Sequence, residues 1–216
     1  MVTDSLREAI LSGQFAEGES LRQHNLSQRF GVSEVVIREA LRRLEADGLV
    51  DTERRRGARV TQLSVDEINE LYELRILLEQ LLTRHAAAAS SPDDLERAAR
   101  IHDMMATEKD PVRWLILNRD FHNALYRASN RTRLLKFTDD LRIRVERYLR
   151  LSLAVLRGFD VAQEEHRQIL EAFRARDPER AAQLVGTHLR RTADMVVNYL
   201  RSHGQTRESA APRGAP

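Results

Sequence analysis

The chain has 216 residues with 42% hydrophobic and 31% charged side chains, enough apolar material for one large domain or two small ones. With no cysteine it forms no disulfide, uses no thiol in catalysis and holds no Cys-ligated zinc or iron–sulfur centre. Thirty-five basic residues face 33 acidic ones, so the net charge of +2 excludes a strongly polyanionic or polycationic chain, and the placement of charge has to carry the argument. There is no apolar run of membrane-spanning length and no charged-then-apolar leader, so the expectation is a cytoplasmic protein without membrane association.

Residues 1–63 read as short helices and a hairpin. Leu6, Ile10 and Leu11 give the first helix an apolar face that stops at Gly13, and Phe15 to Ser20 reads as a turn. Leu26 and Phe30 mark a second helix ended by Gly31. Ser33 is an N-cap for a third, in which Ile37, Ala40, Leu41 and Leu44 recur at helical spacing up to Gly48. Val50 and Thr52 alternate against Ala58 and Val60, which predicts a two-stranded wing whose tip carries Arg54, Arg55, Arg56 and Gly57.

Helix, glycine turn and second helix at this spacing, followed by an Arg–Gly wing, is the arrangement of a winged helix-turn-helix. Arg38, Arg42 and Arg43 project from the second helix. All basic residues but Lys109 and Lys136 are arginine, the side chain whose planar fork fits phosphate and guanine. Residues 1–63 hold equal numbers of basic and acidic side chains, so the DNA reading rests on the clustering of arginines in the wing, and the competing reading is a solvated charged face.

Residues 64–204 read as long amphipathic helices joined by short loops, an all-α antiparallel bundle. One helix runs to Ala89, with Leu71, Leu74, Leu78, Leu81 and Leu82 supplying its apolar positions. Ser91-Pro92, Asp110-Pro111 and Asp177-Pro178 each open a helix, since proline is tolerated in the first turn. Asn130 breaks the chain before a helix from Arg131, another starts at Asp160, and the last ends near Leu200. Residues 205–216 are small and polar and predict a disordered tail. The fold class is therefore mainly α: an N-terminal winged helix-turn-helix with a small β-wing, followed by the helical bundle.

Asn118 and His122 share one helix face, His166 lies in the helix that starts at Asp160, and His188 lies in the last helix. Pointed inward together, three imidazoles and an amide make a nitrogen-rich pocket for a divalent metal such as zinc or nickel; taken singly, each is a hydrogen-bonded or surface residue. The neutral donor set would favour an anionic ligand, for instance a carboxylate. A metal-dependent hydrolase could use the same histidines. However, there is no His-Glu-x-x-His, Walker lysine loop or dinucleotide fingerprint, and Glu164 and Glu165 adjoin His166 at helix positions that point elsewhere. A helical adaptor with no DNA role is the remaining alternative, and the reading is not of an enzyme.

The first segment resembles the winged-helix domain of the gluconate-repressor (GntR) superfamily of transcription factors. The resemblance is carried by Ile10-Leu11-Ser12-Gly13, Gly18-Glu19-Ser20-Leu21, Phe30-Gly31-Val32-Ser33, Arg38-Glu39-Ala40-Leu41-Arg42-Arg43-Leu44, Asp47-Gly48-Leu49-Val50 and Arg56-Gly57. It implies DNA contact by His24, Ser33, Val35, Arg38, Arg42, Arg55, Arg56 and Gly57. Glu34 and Val36 stand where the family has Arg and Pro, and a carboxylate accepts from cytosine N4 rather than reading guanine. Residues 66–202 resemble the ligand-binding (FCD) domain of the FadR-like branch through Leu74-Arg75 with Leu78-Glu79, Phe121-His122, Asn130, Glu165-His166, Asp177 and His188-Leu189. That resemblance implies Asn118, His122, His166 and His188 as metal ligands and Arg75 as partner of an effector carboxylate; the alternative for Arg75 is an i,i+4 pair with Glu79 on an exposed face. The resulting expectation is a homodimeric repressor that binds a pseudo-palindromic double-stranded operator and responds to a small organic acid.

Overall fold

The computed structural model describes residues 1–53, 57–156 and 159–208. It divides into two compact units. The first comprises Met1–Ser64 together with Asp139–Leu151, and the second comprises Val65–Thr138 with Ser152 onward.

In the first unit, α1 (Val2–Leu11), α2 (Gln23–Phe30) and α3 (Glu34–Ala46) pack around Leu6, Ile10, Leu26, Ile37, Leu41 and Leu44. Gly31 ends α2 at φ +64°, a left-handed conformation that costs glycine nothing, and so permits the abrupt turn into α3. Ser33 caps α3 by accepting from the backbone N–H of Val36. The wing strands β2 (Val50–Glu53) and β3 (Gly57–Val60) pair in the expected register, Val50 opposite Val60 and Thr52 opposite Ala58. The sheet has a third strand as well. Ser20–Leu21 forms β1, antiparallel to β3, within and just beyond the stretch read as a turn, and its Leu21 side chain joins the core.

The 64–204 segment, read as a single bundle, is divided by α7 (Thr132–Leu156), whose middle belongs to the first unit. The reason lies in three side chains. Ile143 packs on the winged-helix core. Tyr148 accepts from the backbone N–H of Leu63 at 2.7 Å. Arg147, 4% exposed, donates to the carbonyls of Ile10 and Phe15 at 2.7 and 3.0 Å, satisfying acceptors at the end of α1 and in the loop that follows.

In the second unit, α4 (Val65–Ala89) lies along α9 (Pro178–Glu208), α5 (Pro92–Thr107) packs on α6 (Pro111–Tyr126), and α8 (Asp160–Arg174) packs on α5 and α9. The caps act as the sequence suggests. Ser91 and Asp94 form a reciprocal capping box, and Asp110 accepts from the N–H groups of Val112 and Arg113. Asn130 takes a left-handed φ of 54° after the 3₁₀ turn Arg127–Ser129. Because α9 extends to Glu208, residues 205–208 of the expected tail are helical; 209–216 lie outside the described residues. No helix among the described residues is long and apolar enough to cross a membrane.

Candidate functional sites: a recognition helix and a histidine cluster

The buried face of α3 is Ile37, Ala40, Leu41 and Leu44, which leaves Glu34, Val35, Arg38 and Arg42 on the opposite, exposed face. Arg38 and Arg42 form no ion pair among the described residues, whereas Arg43 lies 3.4 Å from Glu39 on the flank. Two guanidinium groups are thus held out on a rigid helix with no internal partner, which suits them for phosphate or base edges. His24 and Glu34 are brought together: His24 Nδ1 is 3.1 Å from a Glu34 carboxylate oxygen. Ser33 is occupied in capping. Gly57 begins β3 at φ +84°, while Arg55 and Arg56 lie outside the described residues.

In the second unit, helices α6, α8 and α9 bring His122, His166 and His188 together, all buried, with one potential ligand nitrogen from each lying within 4.8 Å of the others. Their ring centroids are 4.7 to 5.4 Å apart. His166 is fully buried, and neither ring nitrogen has a hydrogen-bond partner among the described residues. Burial first, and then the imidazoles of His188 and His122, push its pKa well below the ordinary histidine value, so the ring is neutral. Asn118, one turn before His122 on α6, has its side-chain carbonyl oxygen buried and unpartnered.

The other two histidines are oriented through Nδ1. His188 Nδ1 donates to a Glu165 oxygen at 2.9 Å, while the second Glu165 oxygen accepts from Arg191 at 3.0 Å. Burial works to raise the Glu165 pKa, but the hydrogen bonds and charges of His188 and Arg191 outweigh it and hold the group ionised. His122 Nδ1 is 3.4 Å from the Tyr126 hydroxyl, which donates to Glu79 at 2.9 Å. With Nδ1 engaged in this way, Nε2 is the atom each ring could offer to a metal, the usual arrangement of a metal-ligating histidine. Three imidazoles facing one another, with both His166 nitrogens unpartnered among the described residues, fit a divalent cation, as does the orphaned Asn118 oxygen on the same helix face.

Arg75 does pair with Glu79, through Nε and Nη2 at 3.0 Å, but the pair is buried rather than on an exposed face. Glu79 is fully buried, and through Tyr126 it ties Arg75 to His122. Sequence reasoning missed Glu79, Tyr126 and Glu165 as supporting groups. Tyr126 stands at i+4 from His122, a spacing that could have signalled contact, whereas nothing local links Glu165 to His188.

The profile of bacterial regulatory proteins of the gntR family matches residues 1–60, and that of the FCD domain matches residues 70–191. The HTH-type transcriptional regulator BphR of Paraburkholderia xenovorans is 32% identical over 203 residues, covering 90% of this chain and 83% of its own. The HTH-type transcriptional repressor GlaR of Escherichia coli K12 is 27% identical, covering 85% and 89%. A GntR-family transcriptional regulator from Pseudomonas syringae pv. tomato, solved by crystallography, superposes with a TM-score of 0.62 at 34% identity over 95% of this chain and 87% of that one. These findings displace the hydrolase and adaptor readings. The chain belongs to the gntR family of bacterial regulatory proteins, with an FCD domain, and is a DNA-binding transcriptional regulator rather than an enzyme.

Proposed function

We propose that the protein is a homodimeric repressor whose grip on a pseudo-palindromic operator is set by a small carboxylate bound in the FCD domain beside a divalent metal. The observation that carries this reading is the buried His122–His166–His188 cluster with its unpartnered His166 nitrogens. Such burial is unfavourable unless a ligand completes it. Asn118, His122, His166 and His188 would hold the ion. All four donors are uncharged, so a bound zinc, nickel or similar cation would supply a positive centre for an anionic effector. Glu79 uses Nε and Nη2 of Arg75, leaving Nη1 for an incoming carboxylate.

Two recognition helices on a two-fold dimer would meet half-sites about one helical turn apart. Exposed Leu74, Leu77 and Leu81 recur along one face of α4, and Phe137 on α7 is 62% exposed; these apolar surfaces support association with a second copy. An effector that binds the DNA-fitting and non-fitting geometries unequally shifts operator affinity by that difference.

The test is elemental analysis of the purified full chain together with operator mobility shifts against a panel of carboxylic acids. Bound metal that is lost in His122→Ala, and an acid that releases DNA only from metal-loaded protein, would support the reading. Wild-type protein that takes up no divalent metal, even when it is supplied, would sink the metal-centred part.

A further inference from the structure

The first turn of α3 exposes side chains that contribute nothing to the domain's core. Val35 is 62% and Val36 43% exposed, and the Glu34 side chain is 53% exposed. Exposed β-branched residues are indifferent helix formers, so propensity does not account for them.

Glu34 is nevertheless held in place. Its Oε1 lies 3.1 Å from His24 Nδ1 on α2, and the other ring nitrogen of His24 lies 3.0 Å from the Gln28 amide nitrogen. An amide nitrogen only donates. With Gln28 oriented in this way, His24 Nε2 accepts, and the ring proton sits on Nδ1, directed at Glu34. The relay uses one carboxylate oxygen and leaves Oε2 over. Arg38, one turn further on the same face, has no ion-pair or hydrogen-bond partner among the described residues.

We propose that Glu34, positioned by His24, reads the amino group of a cytosine in the operator half-site, and that Val35 meets the methyl group of an adjacent thymine. This rests on α3 being the helix that enters the major groove. A carboxylate is an acceptor only, so the phosphate backbone repels it and it must face a donor. On the major-groove edge, guanine offers two acceptors and adenine places an acceptor beside its amino group, whereas cytosine presents its amino group without a neighbouring acceptor of its own. The thymine methyl is the one apolar group on that edge, and it matches an exposed isopropyl group. The half-site would then combine a guanine opposite Arg38 with a cytosine flanked by thymine.

The experiment selects binders to the full chain from a randomised duplex pool and then measures Kd with each base pair in turn at the selected positions. Wild type should enrich cytosine beside thymine, and changing that C·G pair to T·A should weaken binding on the order of 5- to 150-fold. Glu34→Gln should lose this preference at that position alone. His24→Ala should blunt it at the same position, and His24→Gln, which keeps a donor, should restore part of it. Both positions are exposed, so a helical circular-dichroism spectrum suffices to show that the variants fold. Sequence-selective binding with base preferences unchanged in Glu34→Gln would overturn the proposal while leaving DNA recognition by α3 intact. No sequence-selective enrichment by wild type would overturn both.

Discussion

Glu165 of α8 accepts from His188 Nδ1 of α9 at 2.9 Å, orienting a ring that belongs to the histidine cluster. A carboxylate in this position orients the ring and raises its basicity. Glu165→Gln should lower divalent-metal affinity about 10–100-fold, measured by competition with a chromophoric chelator. An unchanged affinity would show that His188 needs no such support.

His166 gives the metal-free protein a pH dependence of known sign. Its pKa in the folded state is far below the ordinary histidine value of about 6.5, which the unfolded chain retains. As pH falls below that value the unfolded chain takes up a proton that the folded one refuses. Stability is full above about pH 6.5 and should decline below it by up to about 1.4 kcal/mol per pH unit for this one group. Thermal melts of chelator-treated protein between pH 7.5 and 5 should show the decline, and His166→Leu should flatten it.

The helix boundaries were the most legible part of the sequence, because they are set locally. Ser33, Ser91 and Asp110 cap where they should, and Gly31 and Asn130 take the left-handed turns. β1 was hidden because two residues, Ser20 and Leu21, carry no periodicity; only their pairing with Arg59 and Ala58 makes them a strand. On α4 the leucines marked the buried face only in part, since Leu82 is buried and Leu71 and Leu78 are half-buried. Leu74 and Leu81 are exposed, while Tyr72, Arg75, Glu79 and Thr83 face inward. A buried face with an internal ion pair does not register as hydrophobic, so the pattern missed the polar half of it. The three histidines lie on separate helices, and their convergence is a property of tertiary packing that spacing along the chain does not encode.

For Arg38 the salt dependence separates two roles. If it reads guanine with both prongs, Arg38→Ala should cost about 1–3 kcal/mol at the matched base pair and relax specificity there. If it binds phosphate, the loss should be uniform across sequences, and the slope of log K against log salt should fall by about one. Fluorescence anisotropy at several salt concentrations on matched and mismatched duplexes distinguishes them.

The Arg75–Glu79 pair lies within 6% and 0% exposure, so removing one partner leaves a buried charge uncompensated. Glu79→Ala should cost about 3–5 kcal/mol in denaturant unfolding. Replacing both residues with apolar ones of similar volume should recover much of that loss while severing the link from Tyr126 to Arg75. A double-mutant cycle measures the coupling directly.

The service that Arg147 and Tyr148 give to Ile10, Phe15 and Leu63 bears on how the protein is made. During translation residues 1–64 leave the ribosome before α7, yet the donors for two of their carbonyls are encoded more than 130 residues later. A nascent chain holding only residues 1–64 keeps those acceptors for water, and each one buried without a partner costs about 1–3 kcal/mol. The DNA-reading module therefore reaches its full stability only after the middle of α7 has emerged, so products stalled or truncated before it would carry a weakened DNA-binding head.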